Sequence, residues 1–129
     1  MCGICGEIRF DGETVELRRL QAINDSMVPR GPDDHGITLQ GSRGFGHRRL
    51  KIMDLSAASQ QPMIDPALGL GIVFNGAIYN YPALRDELRQ LGYAFYSTGD
   101  TEVVLKAYSA WGEGCVARFE GMFAFAIWD

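Results

Sequence analysis

The chain opens Met1-Cys2-Gly3-Ile4-Cys5-Gly6-Glu7, MCGICGE, and three chemistries compete for those residues. Cys2 and Cys5 have the spacing of a redox pair. The same thiols could form half of a metal site. Or Cys2, once Met1 is removed, becomes a first residue carrying a nucleophilic thiol and a free α-amine. The conformation of residues 2–10, CGICGEIRF, decides among them. They are short, mostly apolar, rich in small side chains and bounded by Asp11-Gly12, which predicts a buried first strand.

In a strand, three residues span roughly 10 Å, beyond the ~7 Å limit on Cα separation for a disulfide. Redox Cys-x-x-Cys pairs instead sit at helix N-termini, where the dipole lowers a thiol pKa. A metal site would need further ligands, and Cys115, His35 and His47 offer no second close pair. For the third chemistry, an α-amine of pKa about 7.7–8.0 is roughly one-third neutral at pH 7.5, so it can take a proton from the thiol. No histidine is then required. The plain alternative is a small apolar residue that merely starts a strand. These seven residues leave both readings open.

Working outward, Leu17, Leu20, Ile23 and Met27 recur at helical spacing and predict a helix over about 13–27. Pro29 to Asp34 is loop, and 36–40 with 43–48 form a hairpin turning at Gly41-Ser42. A polar loop is expected from Asp54 to Gly69, then a strand from Leu70 to Phe74 broken at Asn75-Gly76. Pro82 opens a helix that ends at Gly92. A short strand at 93–96 leads to a helix near Thr101–Trp111, with Asp100 as a natural N-cap. The last element is the apolar strand Met122–Trp128. Mixed helices and strands with short turns predict one α+β domain over 1–129 rather than a doubly wound parallel sheet.

Composition narrows the partners. A net charge of −4 gives no electrostatic case for nucleic acid or an anionic membrane, and no apolar run reaches the ~20 residues a spanning helix needs. An odd cysteine count of 3, without a secretory pattern at the N-terminus, argues for a reducing, cytoplasmic setting. The apolar edge FAFAIW before Asp129 is of a kind that proteins cover, so the polypeptide is expected to continue. Uncovered, it would permit strand-paired homodimers.

Seven segments in order carry a resemblance: MCGICG, RGPDDHG, GHRRLKIMDLS, QQPM, FNGAIYNY, STGDTEVVLKAY and FEGMFAFAIWD. Together they resemble the class II glutamine amidotransferase domain, with its N-terminal cysteine nucleophile. The likeness is nearest to the glutaminase half of asparagine synthetases and the related N-acetylglutaminylglutamine amide synthases. It implies a four-layer αββα sandwich of two stacked antiparallel sheets, truncated here on its C-terminal side. It also implies hydrolysis of the glutamine side-chain amide to glutamate and ammonia. The ammonia would serve an ATP-dependent synthetase domain outside these residues, so ATP and Mg²⁺ are expected there and no cofactor or metal here.

The resemblance makes Cys2 the nucleophile that forms a γ-glutamyl thioester. Asn75 and Gly76 become the oxyanion hole, although Asn-Gly alone reads as a turn. Arg49 would grip the substrate α-carboxylate, against the plain reading of a solvated arginine, and Asp100 would pair with the α-ammonium, against the N-cap reading. Arg30, Gly31, Pro32 and Asp33 would form a lid over bound glutamine. Leu50 and Ile52 would line the pocket, where the plain reading is core packing. Many relatives carry an acidic residue after Asn-Gly where this chain has Ala77, which leaves Asp100 as the expected ammonium partner. Pro29 replaces a frequent histidine, and Cys5 is expected to be buried and inert. Two rivals remain: a non-catalytic binding module of the same fold, and an N-terminal nucleophile hydrolase for another amide. The acceptor of the ammonia lies outside what these residues specify.

Overall fold

A computed structural model describes residues 1–129. Six strands and three α-helices follow one another as β1 (Gly3–Ile8), α1 (Leu17–Ser26), β2 (Asp34–Gln40), β3 (Arg43–Arg49), β4 (Met63–Asp65), β5 (Leu70–Ile78), α2 (Tyr81–Gln90), α3 (Asp100–Trp111) and β6 (Gly121–Trp128). They form two antiparallel three-stranded sheets, ordered β1-β3-β2 and β4-β5-β6. Helix α1 packs on the first sheet, while α3, with α2 beside it, packs on the second. The result is the expected αββα stack.

Residue size sets the spacing of the layers. Gly44 lies under α1, where a Cβ would stand 2.6 Å from Leu39 Cδ2 and 2.9 Å from Leu20 Cδ2, so glycine lets the helix settle on β3 without displacing those side chains. Beneath the second sheet, Ile72, Ile78, Leu88, Val103, Val104 and Leu105 are wholly buried. Burial of each such side chain contributes about 1.5–3 kcal/mol. Between the sheets, Phe45 of β3 stacks on Trp128 of β6 at 4.2 Å between centroids.

The hairpin falls where its sequence places it, in the register Gln40↔Arg43 to Asp34↔Arg49. Four expectations need correction. Helix α1 begins at Leu17, not near Glu13, because local N–H groups are diverted: Glu13 donates to the Asp11 carboxylate at 3.1 Å and Val15 to Gly41 O at 3.0 Å. The stretch 54–69 is not all loop, since Met63–Asp65 pairs with Leu70–Ile72. No strand forms at 93–96. There, Tyr96 N–H donates to Glu102 at 3.0 Å, Tyr93 N–H to Leu88 O at 3.0 Å, and Lys106 takes the Ala94 carbonyl. Finally, β5 runs unbroken through Asn75-Gly76, because both residues pair with β6, Asn75↔Ala124 and Gly76↔Phe123. Tertiary pairing overrides the turn preference of that dipeptide. No helix is long and apolar enough to cross a membrane.

Candidate active site

Strand alternation determines which side chains meet. On β3, Phe45, His47 and Arg49 share the face turned to the second sheet, and the pairing Gly3↔Arg48 brings Cys2 alongside the end of that strand. Leu50 N–H points at Cys2 Sγ from 3.3 Å, and the thiol faces Leu50 O at 3.7 Å. Cys2, Arg49, Asn75, Gly76 and Asp100 all line one cleft of about 150 Å³. That is below the ~300–1,000 Å³ of pockets for drug-sized ligands and suits something nearer an amino acid. Leu50 and Ile52 line it too, and Ile52, 70% exposed, stands at the mouth rather than in a core. Met1 forms part of the wall.

Arg49 is buried, not a solvated surface arginine. Its Nη1 donates to Ser56 O at 2.9 Å and its Nη2 to Asp54 O. A guanidinium has five N–H donors, so this anchoring fixes the fork and still leaves hydrogens for a ligand.

The origin of the Gly76 donor is topological. Strand β4 begins only at Met63, opposite Ile72, so β5 has no strand neighbour on that side beyond Ile72. Alternation sends the backbone groups of Phe74, Gly76 and Ile78 to the uncovered side. Phe74 N–H is taken by the Gln61 side chain at 2.6 Å, and Phe74 O accepts from His47 Nε2 at 3.1 Å. Ile78 N–H donates to Asp100 Oδ2 at 2.9 Å. Between these two tethered positions the Gly76 N–H is left facing the cleft. Beside it, the buried Oδ1 of Asn75 has no protein partner.

Asp100 is not the cap of α3. Gly99 occupies that position, and the Asp100 carboxylate reaches back to β5 instead. Burial pushes its pKa up, against the pull of the Ile78 N–H, the first N–H groups of α3 and Arg85. The residues Arg30, Gly31, Pro32 and Asp33 lie behind the cleft rather than in its lining. Arg30 Nε donates to Cys2 O at 3.2 Å, Pro32 bridges Arg49, and Asp33 accepts from Lys51 N–H at 2.8 Å. Gly31 sits where a Cβ would meet Arg49 N at 2.5 Å. The segment braces the backbones of Cys2 and Arg49. Cys5 is only partly buried; its sulfur packs under α1 beside Gly46 and Asn24, with its pKa pushed up by burial.

Three residues without an assigned role at the level of sequence hold the site together: His47, Asp54 and Gln61. His47 is fully buried, and burial together with the Arg49 charge depresses its pKa to about 4, against the Phe74 carbonyl. It is therefore neutral, with the proton on Nε2 and an unpartnered Nδ1. The placement of His47 two residues after Phe45, on the same face of a strand, was the available signal.

The chain matches the profile of the glutamine amidotransferase domain over residues 1–129 and belongs to that family. It is 41% identical over 132 residues to asparagine synthetase [glutamine-hydrolyzing] 3 of Bacillus subtilis (strain 168), covering 100% of this chain and 21% of that one. It is 31% identical over 141 residues to the amidase chry2 of Gibberella zeae, again covering 100% of this chain and 21% of the relative. The chain thus spans about a fifth of the length of these relatives. Among solved structures, the glutamine phosphoribosylpyrophosphate amidotransferase of B. subtilis superposes with a TM-score of 0.58 at 23% identity, over 70% of this chain and 22% of that one. That likeness supports the sandwich fold.

Proposed function

We propose that this domain hydrolyses the side-chain amide of glutamine, through a thioester on Cys2, and delivers ammonia to a synthetase portion of a longer polypeptide. The observation that carries the reading is the convergence of the Cys2 thiol, the anchored Arg49 guanidinium, Asn75, Gly76 and the buried Asp100 carboxylate on one small cleft.

Removal of Met1 frees the Cys2 amine, which takes the thiol proton. The thiolate attacks the amide carbon, and the resulting oxyanion accepts from the Asn75 Nδ2–H and the Gly76 N–H. Each such preorganised donor typically contributes about 3–4 kcal/mol of transition-state stabilisation. Collapse breaks the C–N bond, with the amine returning its proton to the departing ammonia. Water then cleaves the thioester, giving glutamate and regenerating the thiol. Arg49 binds the α-carboxylate with its free N–H groups, and Asp100 binds the α-ammonium with the oxygen not engaged by Ile78. Leu50 and Ile52 contribute walls. Arg30 to Asp33, as placed, hold Cys2 and Arg49 in position, and closure over bound glutamine would be a second role for the same segment. In this reading ATP and Mg²⁺ belong to the synthetase portion, this domain needs no cofactor, and three free thiols fit residence in the cytoplasm.

The test has two parts. Intact mass should show loss of Met1, and a diazo-ketone analogue of glutamine should add one label, at Cys2. Ammonia release should favour glutamine over simple acyl amides by at least about 100-fold, the scale of losing a charge-assisted contact at each end. Asparagine keeps both charges but is one methylene shorter, so its amide should stop short of Cys2 and also react more slowly. An unlabelled Cys2 in folded protein would remove the catalytic reading. Equal rates on simple amides would reassign the domain to another amide substrate.

A further inference from the structure

The two ends of the cleft that would recognise a zwitterion, Arg49 on β3 and Asp100 on α3, are distant in sequence, and one side chain joins the loops beside them. We infer that Asp54 is a positioning residue that couples the guanidinium of Arg49 to the carboxylate of Asp100, so that both charges of the substrate are read at a fixed separation. The inference rests on the glutaminase reading above.

The hydrogen bonds of Asp54 divide between two loops. Towards its own loop, Oδ1 accepts from Ser56 N–H at 2.8 Å and Oδ2 from Ser59 Oγ at 2.7 Å. These bonds fold residues 54–59 into a turn whose two carbonyls, Asp54 O and Ser56 O, are the acceptors that fix Arg49. Towards the other loop, Oδ2 accepts from Thr98 N–H at 2.8 Å, two residues before Asp100. The two loops also touch. A Cβ on Gly99 would stand 3.1 Å from Ser59 Oγ and 3.3 Å from Asp54 Cβ, so glycine at 99 lets them close on each other.

From the far side, Arg85 donates to Ser97 O and Gly99 O at 2.6 Å each, completing the grip on the segment that leads into α3. With both oxygens of Asp54 engaged, the side chain acts through its neighbours although it lines the cleft. Burial raises the cost of its charge, yet hydrogen bonds from Ser56, Thr98 and Ser59 hold it ionised well below the usual carboxylate range. An amide cannot replace it. Asparagine at 54 offers one acceptor oxygen and turns an NH₂ towards a donor, so one of the two loops loses its tie.

The experiment measures binding on a Cys2→Ala background, which separates recognition from chemistry. Ligands are L-glutamine, 4-carbamoylbutanoate, which lacks the ammonium, and 4-aminobutanamide, which lacks the carboxylate. Asp54→Asn should weaken glutamine at least 10-fold and shrink its preference over both analogues. Asp100→Asn should shrink only the preference over 4-carbamoylbutanoate. Ser59→Ala, which removes one bond and leaves the charge, should weaken glutamine about 3-fold and carries the test if Asp54→Asn fails to fold. Folded variants that bind glutamine within 1.5-fold of their parent, or that lose affinity equally for all three ligands, would overturn the coupling. Failure of the Cys2→Ala parent itself to bind glutamine would overturn the glutaminase reading and this one together, and is told apart by that control.

Discussion

Asp100 shows how a single residue can look ordinary in sequence and do something else in the structure. Before a helix, an aspartate reads as an N-cap, a role worth about 1 kcal/mol. Here Gly99 takes that position and the carboxylate is turned inward to Ile78 N–H and the cleft. A buried carboxylate with raised pKa makes the empty protein less stable as it ionises. The folded protein holds its proton to higher pH than the unfolded chain, so stability is fully present below about pH 3.9 and declines as pH rises through the folded value. Asp100→Asn keeps an acceptor for Ile78 and removes that decline. Urea unfolding at pH 7 should therefore show the variant to be more stable than wild type, with the gap closing near pH 3, while glutamine binding weakens to the level of 4-carbamoylbutanoate. A variant less stable than wild type at pH 7 would mean that the carboxylate is a structural tie and not a ligand partner kept at a cost.

At the scale of elements, β5 decides what was legible and what was not. Its apolar first half, the flanking hairpin β2–β3, helices α2 and α3 and the terminal strand follow from periodicity, proline and glycine punctuation. The continuation through Asn75-Gly76 did not, because it depends on β6, some 45 residues further on, pairing across both positions. Nor did β4, whose three residues are too few to show alternation, though its late start is what leaves the Gly76 side of β5 uncovered. The same geometry makes Gly76 irreplaceable. Its φ is +154°, and a Cβ would stand 2.6 Å from Phe123 Cα with Met122 O closer still. Alanine there should cost about 1–3 kcal/mol of stability from strain and overpacking. It should also reduce diazo-ketone labelling of Cys2 by more than the unfolded fraction accounts for, since the donor is displaced. Denaturant titration and labelling rate on the same sample check both. Labelling that falls only in step with unfolding would confine the residue to packing.

Across the whole molecule, the site exists only because two sheets face each other at a set distance: Cys2 and Arg49 belong to one sheet, Asn75 and Gly76 to the other. The layered reading was within reach of sequence; the polar tie between the sheets was not, because a histidine in a strand does not announce its partner. His47, from β3, donates across to Phe74 O on β5, one residue before Asn75, and the stacking of Phe45 on Trp128 joins the sheets further along. This tie has a pH signature of its own. The folded pKa of about 4 lies below the ~6.5 of an unfolded histidine, so the unfolded chain binds the extra proton first as pH falls. Stability from this group is complete above about pH 6.5 and falls away down to about pH 4, by about 3 kcal/mol in all. The window lies above that of Asp54, whose depressed pKa makes its contribution fade only below about pH 3.9, so the two can be separated. Asp100 titrates in the same window with the opposite sign, but equally in both proteins, so the readout is the difference between wild type and His47→Gln, which keeps a donor for Phe74 but cannot titrate. Urea unfolding at pH 7, 5.5 and 4.5 should show that difference move progressively in favour of the variant as pH falls, whatever its starting stability. Parallel slopes in the two proteins would show that the sheets are not held by a neutral imidazole.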